Sequence, residues 1–157
     1  MDFASFIPAF GGLSFTLFAF VISLSVIVFV HEFGHYIVGR WSGIHAEVFS
    51  VGLGPVLLSK TDRWGTRWQI ALIPFGGYVK FLGDRDASSI ADNGALQEMQ
   101  TDELRQTMHG APLWARTATV AAGPAFNFIL AAAIFAGIAL WQGQVRDPLT
   151  VGELYPC

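Results

Sequence analysis

The chain has 157 residues, of which 53% are hydrophobic and only 13% are charged, against roughly 25% charged residues in a typical soluble domain. So few charges cannot cover a soluble domain of this length with a polar surface. The net charge of −3 gives no support for a nucleic-acid partner, and the single cysteine, Cys157, excludes an internal disulfide.

Two long segments of the chain carry no charged residue. The first extends from Phe3 to Val30 and the second from Thr117 to Val145. Each exceeds the ~20 apolar residues that cross a bilayer. The first lacks the basic start and the short apolar core of a cleaved signal peptide, which favours an uncleaved span. We therefore predict a transmembrane helix within residues 1–39, beginning near Leu13, and a second within residues 112–142.

The sequence between these spans, residues 40–82, favours β structure. Runs such as Trp68–Ile73 are rich in β-branched and aromatic residues and are separated by Gly and Pro, as in hairpins. Thr61–Gly65 is the expected turn between two strands. Pro74–Val79 is too apolar for an aqueous loop, and non-helical backbone at membrane depth must be buried in protein or line a wet cavity. We therefore predict a membrane-associated hairpin or re-entrant loop.

Residues 83–111 form the polar part of the chain. We expect a loop whose acidic residues make a solvated surface, followed by a short helix from about Thr101 to Met108. In the second span we expect Gly123-Pro124 to interrupt the front of the helix. The predicted fold class is membrane α-helical, with two transmembrane helices and an intervening membrane-associated β-hairpin or re-entrant loop.

The basic residues are distributed unevenly about the two spans. Eight of the nine Lys and Arg residues lie between Arg40 and Arg116, and only Arg146 lies beyond them. Cytoplasmic segments carry the excess of Lys and Arg in membrane proteins. The sequence therefore predicts a multi-pass protein of a bacterial inner membrane, with a cytoplasmic connecting region and periplasmic termini.

The first apolar segment runs into an HExxH pattern, His31-Glu32-Phe33-Gly34-His35. On a helix of ~3.6 residues per turn, His31 and His35 share a face and can bind one Zn²⁺ through their imidazole nitrogens. Glu32 lies beside the metal, where it can take a proton from the attacking water and later protonate the leaving amine. Because ionisable side chains at membrane depth are costly, the cluster predicts a zinc site with hydrolytic chemistry.

A third zinc ligand is not evident in the sequence. Catalytic zinc normally has three protein ligands, but His45 and His109 lie in segments that we expect to be interfacial or exposed. We therefore expect the third ligand to be missing from this chain. Two interpretations of Asn127 remain open: a hydrogen bond between the two membrane helices, or a role in the active site.

Four sequence blocks, in this order, resemble the site-2 protease family of intramembrane zinc metalloproteases, peptidase family M50. The blocks are Val30–His35, Phe49–Pro55, Ile70–Lys80 and Ala121–Phe128. The resemblance is closest to the regulator-of-sigma-E protease type of the family. It implies an endopeptidase that cleaves transmembrane segments of other proteins, such as anti-sigma factors or signal-peptide remnants, within the lipid bilayer.

The resemblance also implies roles for individual residues. His31 and His35 match the zinc-binding histidines of the family, and Glu32 matches its catalytic glutamate. The block that contains Gly76-Gly77 matches a re-entrant β-loop that engages substrate as an extended strand. Asn127 matches an asparagine that lies near the active site and the substrate.

The chain departs from the family pattern in two places. The third zinc ligand of the family is an Asp on a later span, and its motif is absent here. Residues 143–157 resemble only the start of a periplasmic PDZ region. We therefore expect an N-terminal fragment that is inactive alone and whose partner is the remainder of the same protein. The alternative is a non-catalytic, truncated membrane protein that binds metal or substrate without cleaving.

Overall fold

A computed structural model describes residues 12–86 and 90–143 of the chain. Two long helices flank a two-stranded antiparallel sheet, as predicted. The elements in chain order are helix α1 (Leu13–Trp41), strands β1 (Ala46–Thr61) and β2 (Arg67–Phe81), and helices α2 (Asn93–Glu98), α3 (Thr101–Arg105) and α4 (Leu113–Gln142). The predicted PDZ start, Cys157 and the first residues of the predicted 1–39 segment fall outside the described residues.

The helices α1 and α4 are long and apolar enough to cross a membrane. Their most apolar 18-residue windows have mean hydropathies of 2.6 and 1.9, and 0% and 6% of these windows are buried within the chain. Large side chains such as Phe18 and Phe128 are exposed. The chain therefore leaves most of the surface of these side chains uncovered, and a bilayer would cover it.

Small residues bring α1 and α4 into close contact. A Cβ atom built on Gly34 would lie 2.6 Å from the Ala122 carbonyl oxygen and 3.0 Å from Phe126 Cβ. Near the end of α1, a Cβ atom on Gly39 would lie 2.7 Å from the Phe81 ring. Glycine is therefore required at both positions, because any larger residue would push α1 away from its neighbours.

The helix α4 continues through Pro124 without a break. The predicted interruption at Gly123-Pro124 is therefore wrong. Proline removes only one backbone N–H, the one that would bond to the carbonyl of Val120. The remaining hydrogen bonds of a 30-residue helix outweigh the loss of one. Prolines are tolerated in membrane helices because neighbouring groups can satisfy the carbonyl that they leave free.

The sheet is more folded than a simple hairpin. Residues Val48–Val51 of β1 have partners in Gly77–Lys80 and a second set of partners in Arg67–Ile70. The partner numbers fall along β1 in the first set and rise in the second. Each strand therefore bends back, and a segment of the other strand lies between its two halves. Positive φ angles at Gly52 and Gly54, 92° and 85°, accompany the bend in β1. Among the described residues, only Val48–Val51 pair with Gly77–Lys80, so the latter segment keeps one unpaired edge.

The turn of the hairpin is organised by Asp62. Its Oδ1 accepts hydrogen bonds from the backbone N–H groups of Trp64 and Thr66, at 2.8 and 3.1 Å, and its Oδ2 accepts one from Trp68 Nε1 at 3.2 Å. Burial disfavours the charged carboxylate, but these donors and the nearby Arg40 outweigh it and lower the pKa of Asp62. The turn is thereby tied to the last helical turn of α1, since Arg40 Nη1 lies 3.9 Å from Asp62 Oδ2.

A small aromatic core fixes the sheet against the C-terminal half of α1. Phe49 is fully buried, and its ring centroid lies 5.5 Å from that of Tyr36 and 4.4 Å from that of Trp68. Edge-on and tilted ring pairs of this kind are each worth about 0.5–1.5 kcal/mol beyond their buried area. Because Tyr36 follows directly on His35, this core also holds the HExxH turn in place.

The polar segment is less uniformly solvated than predicted. Asp84 is only 3% exposed. Its Oδ2 accepts a hydrogen bond from the Phe81 backbone N–H at 3.1 Å, and its Oδ1 lies 3.5 Å from His109 Nε2. Burial raises the pKa of Asp84 more than these neighbours lower it. The predicted solvated surface is therefore wrong for Asp84, which closes the base of the hairpin instead.

Candidate metal centre

The helix α1 directs His31 and His35 toward α4. The two imidazole centroids lie 4.8 Å apart, with their planes at 79° to one another. Both residues are half-buried. Their spacing of four residues places them one above the other on the same helical face, as the HExxH pattern predicts.

The Nε2 atoms of both histidines converge over Gly123 of α4. A Cβ atom built on Gly123 would lie 2.8 Å from His31 Nε2 and closer still to His35 Nε2. Gly123 itself is buried. The absent side chain therefore leaves a small space, lined by two imidazole nitrogens, between the two long helices.

The Nδ1 atoms of both histidines have partners on α4. His35 Nδ1 lies 2.8 Å from the carbonyl oxygen of Thr119. Because a carbonyl oxygen can only accept, His35 carries its proton on Nδ1 and keeps a free lone pair on Nε2. His31 Nδ1 lies 3.1 Å from the side-chain amide of Asn127.

One stripe of α4 therefore supplies the Nδ1 partners of both rings and the glycine that faces their Nε2 atoms. Thr119, Gly123 and Asn127 follow one another at intervals of four residues, so they lie on one helical face. Thr119 meets His35, and Asn127 meets His31. Asn127 could be singled out from the sequence, but Thr119 could not, because it contributes a backbone carbonyl. Only its regular spacing from Gly123 could have indicated it.

The convergence of two imidazole nitrogens fits a zinc ion. Zinc binds histidine nitrogen at ~2.0–2.1 Å, and outer hydrogen bonds on the opposite ring nitrogen are usual for such ligands. Within residues 12–86 and 90–143, no group of three or more metal-ligating side chains occurs. The described part of the chain therefore offers two ligands of a zinc site.

The other two histidines lie in different surroundings. His109 Nε2 faces the buried carboxylate of Asp84 at 3.5 Å. His45 lines a cavity of about 260 Å³ with Arg40 and Trp64, at the end of α1. Neither is part of the cluster around Gly123 in this structure.

Glu32 faces the sheet rather than α4. A Cβ atom built on Gly77 would lie 3.4 Å from Glu32 Cγ and 3.5 Å from Val28 Cγ1. Two turns before Glu32, Ser25 Oγ donates to the carbonyl oxygen of Pro74 at 3.0 Å. One face of α1 thus packs on β2, and Glu32 lies between the histidine face and the edge of the sheet.

The two glycines of the predicted substrate loop differ in their surroundings. Gly77 adjoins Glu32, as described, and its backbone also approaches the carbonyl of Ser50. Gly76 has a φ of 154° and packs against Leu53, where a Cβ atom would lie 2.9 Å from Leu53 Cδ1. Only Gly77 is therefore in contact with a residue of the HExxH turn.

Comparison with known proteins gives a consistent family match. Residues 19–153 match the model of Peptidase family M50. A protein of Agrobacterium fabrum named "Putative zinc metalloprotease" is 51% identical over 142 residues, which cover 90% of this chain. A protein of Rhizobium meliloti with the same descriptive name is 52% identical over 138 residues, or 87% of the chain. "Metalloprotease MmpA" of Caulobacter vibrioides is 40% identical over 151 residues, or 91% of the chain.

The matched regions are only part of each relative. They cover 38% of the Agrobacterium protein, 37% of the Rhizobium protein and 38% of the Caulobacter protein. The chain thus spans less than two fifths of the length of these relatives.

The geometry predicts that Gly123→Ala removes metal binding. The new methyl group would occupy the space between the two Nε2 atoms, so we expect the affinity of the purified chain for Zn²⁺ to fall by roughly 100-fold or more. Chelator competition in detergent measures this affinity.

Gly137→Ala is the matched control, because Gly137 lies on the same helix and a Cβ atom added there would have no heavy atom within 4 Å. It should bind Zn²⁺ like the original chain. Unchanged Zn²⁺ affinity in Gly123→Ala, with helix content intact by circular dichroism, would contradict the proposed location of the metal.

Proposed function

Because the chain belongs to peptidase family M50, we propose that it forms part of the catalytic centre of an intramembrane zinc metalloendopeptidase. The substrates are transmembrane segments of other membrane proteins. The observation that carries this proposal is the convergence of His31 and His35 Nε2 over Gly123, with Glu32 beside them, on a helix apolar enough to span a membrane.

The residues of the chain have separate tasks in this reaction. His31 and His35 hold the zinc ion. When bound, zinc polarises the scissile carbonyl and makes a water molecule more acidic. Glu32 takes the proton of the attacking water and delivers a proton to the leaving amine nitrogen. The third protein ligand comes from outside the residues described here.

The edge formed by Gly77–Lys80 is the proposed substrate-binding strand. No described strand pairs with its second edge, and Gly77 adjoins Glu32. A substrate helix hides its carbonyl groups in internal hydrogen bonds. Pairing with a free sheet edge would hold the substrate extended and expose one carbonyl beside the general base. The missing side chain of Gly77 lets this strand lie directly against Glu32 and Val28 of α1.

The apolar side chains of the hairpin support its association with the membrane. Leu57, Leu58, Leu72 and Phe75 are among its exposed large hydrophobic residues. Exposed apolar patches of this kind mark contacts with membranes or partners. We place this hairpin in the membrane interface, next to the two spans.

A second candidate function is metal or substrate binding without cleavage. It is favoured by the presence of only two metal-ligating side chains at the site among the described residues. In that case the chain would bind Zn²⁺ loosely. Cleavage would appear only when a further segment supplies the remaining ligand.

The membrane location is a bacterial inner membrane, with the connecting region in the cytoplasm and the termini in the periplasm. Arg40 lies in the last turn of α1, and Arg116 lies in the first turn of α4. Both therefore lie at the same end of the helical pair. Basic residues close to the ends of membrane spans favour the cytoplasmic side most strongly.

Glu32→Gln tests the proteolytic role. The change should be made in a chimera in which this chain replaces the matching part of the Agrobacterium relative. Glutamine keeps the shape of the side chain but cannot accept the proton, so we expect cleavage of a transmembrane reporter to fall by roughly 10²–10⁴-fold, with zinc content unchanged.

Glu98→Gln is the matched control, since Glu98 is exposed at the end of α2 and lies outside both the metal centre and the proposed substrate-binding edge. It should cleave normally. If the Glu32→Gln chimera cleaved at a rate near that of its parent, Glu32 would not be the proton acceptor of the reaction.

Cysteine labelling tests the orientation. In a chain carrying Cys157→Ser, single cysteines placed at Glu98 and Asp102, two exposed positions, should react with a membrane-impermeant maleimide only after the inner membrane is opened. Reaction from the periplasmic side of intact cells would show that the connecting region lies outside.

A further inference from the structure

We infer that Asn127 is a positioning residue whose side-chain oxygen accepts a hydrogen bond from the Nδ1–H group of His31. This contact would fix the proton of His31 on Nδ1 and leave Nε2 free for the metal. The inference rests on the proposed function, because it assigns a task to Asn127 at the same zinc site.

The contact itself joins two residues that lie 96 positions apart in the chain. Asn127 Nδ2 lies 3.1 Å from His31 Nδ1, whereas Asn127 Oδ1 is buried with no hydrogen-bond partner. A buried acceptor without a partner is destabilising, because it has lost its hydrogen bonds to water and gained none in return. The amide as oriented therefore satisfies one atom and leaves the other unpaired.

Chemistry at the other ring nitrogen favours the opposite orientation of the amide. If Asn127 donated to Nδ1, the proton of His31 would lie on Nε2. That N–H would point into the space over Gly123 that His35 Nε2 also faces, and a protonated nitrogen cannot bind metal. A rotation of the amide by 180° exchanges its two ends at almost no change in shape.

After this rotation, the oxygen meets Nδ1–H and gains the partner that it lacks. The amide nitrogen then takes the buried position that the oxygen held, so the rotation is favoured by the tautomer that it gives His31 and not by a larger number of hydrogen bonds. The amide thereby satisfies the histidine without a new steric contact.

His35 shows the same arrangement, and its partner on α4 is a group that cannot donate a hydrogen bond. The Thr119 carbonyl oxygen, 2.8 Å from His35 Nδ1, can only accept. Two imidazoles that bind one metal through Nε2 must both carry their proton on Nδ1. Thr119 and Asn127, eight residues apart on one face of α4, thus perform the same task for His35 and His31.

Variants of Asn127 separate this task from simple contact between the helices. In the purified chain in detergent, Asn127→Ala should lower the affinity for Zn²⁺ by roughly 10–100-fold, the usual effect of losing an outer hydrogen bond to a metal ligand. Asn127→Asp, which can only accept, should stay within about threefold of the original affinity. Phe128→Ala, at a neighbouring position that is 77% exposed, is the control and should change nothing.

The tautomer of His31 gives a direct second measurement. In the metal-free chain with isotope-labelled histidine, ring carbon and nitrogen chemical shifts should report Nδ1–H for both His31 and His35. An Nε2–H tautomer at His31 would overturn the inference. So would a Zn²⁺ affinity that is unchanged in Asn127→Ala, since a purely structural hydrogen bond would alter thermal stability alone.

His31→Ala and His35→Ala distinguish a failure of the positioning role of Asn127 from a failure of the zinc site itself. If either histidine variant loses Zn²⁺ while Asn127→Ala retains it, the positioning role fails and the zinc site stands. If neither histidine variant affects Zn²⁺ binding, the proposed function fails as well.

Discussion

The close approach of α1 and α4 is the constraint on which the rest of this structure depends. Two missing side chains permit it. Gly34 lets the backbone of α4 come within contact distance, and Gly123 leaves room for the imidazoles of His31 and His35. Without this approach, the histidines would lose their partners Thr119 and Asn127, and their Nε2 atoms would no longer share one space. Small residues at a helix interface thus serve packing and chemistry together.

The helical period of α1 separates metal binding from proton transfer. The face that carries His31 and His35 turns to α4, while Glu32, one residue further on, turns to Gly77 of β2. A step of about 100° per residue is enough to place neighbouring residues against different elements. The aromatic core around Phe49 holds the sheet in this position. The general base of the proposed reaction therefore lies between the metal ligands and the strand edge that is proposed to bind substrate.

Much of this arrangement could be predicted because its signals are local. The charge-free blocks indicate the two long helices, the β-branched runs indicate the hairpin, and the HExxH spacing places His31 and His35 on one face. The family match agrees with the resemblance drawn from the four sequence blocks. Long-range contacts were harder to foresee. A backbone carbonyl such as that of Thr119 leaves no mark in the sequence, and the burial of Asp84 depends on how the chain closes around His109. The prediction at Pro124 was wrong because proline disfavours the interior of a helix locally, whereas the long helix α4 continues through it.

The central claim is that both imidazoles bind one zinc ion in the space over Gly123. X-ray absorption at the zinc edge tests it most directly, in the chain purified in detergent with one equivalent of Zn²⁺. The account predicts two imidazole nitrogens at about 2.0–2.1 Å, and the loss of this imidazole signal when His31 and His35 are both replaced by alanine. A zinc spectrum without imidazole scattering, or one that the double replacement leaves unchanged, would contradict it.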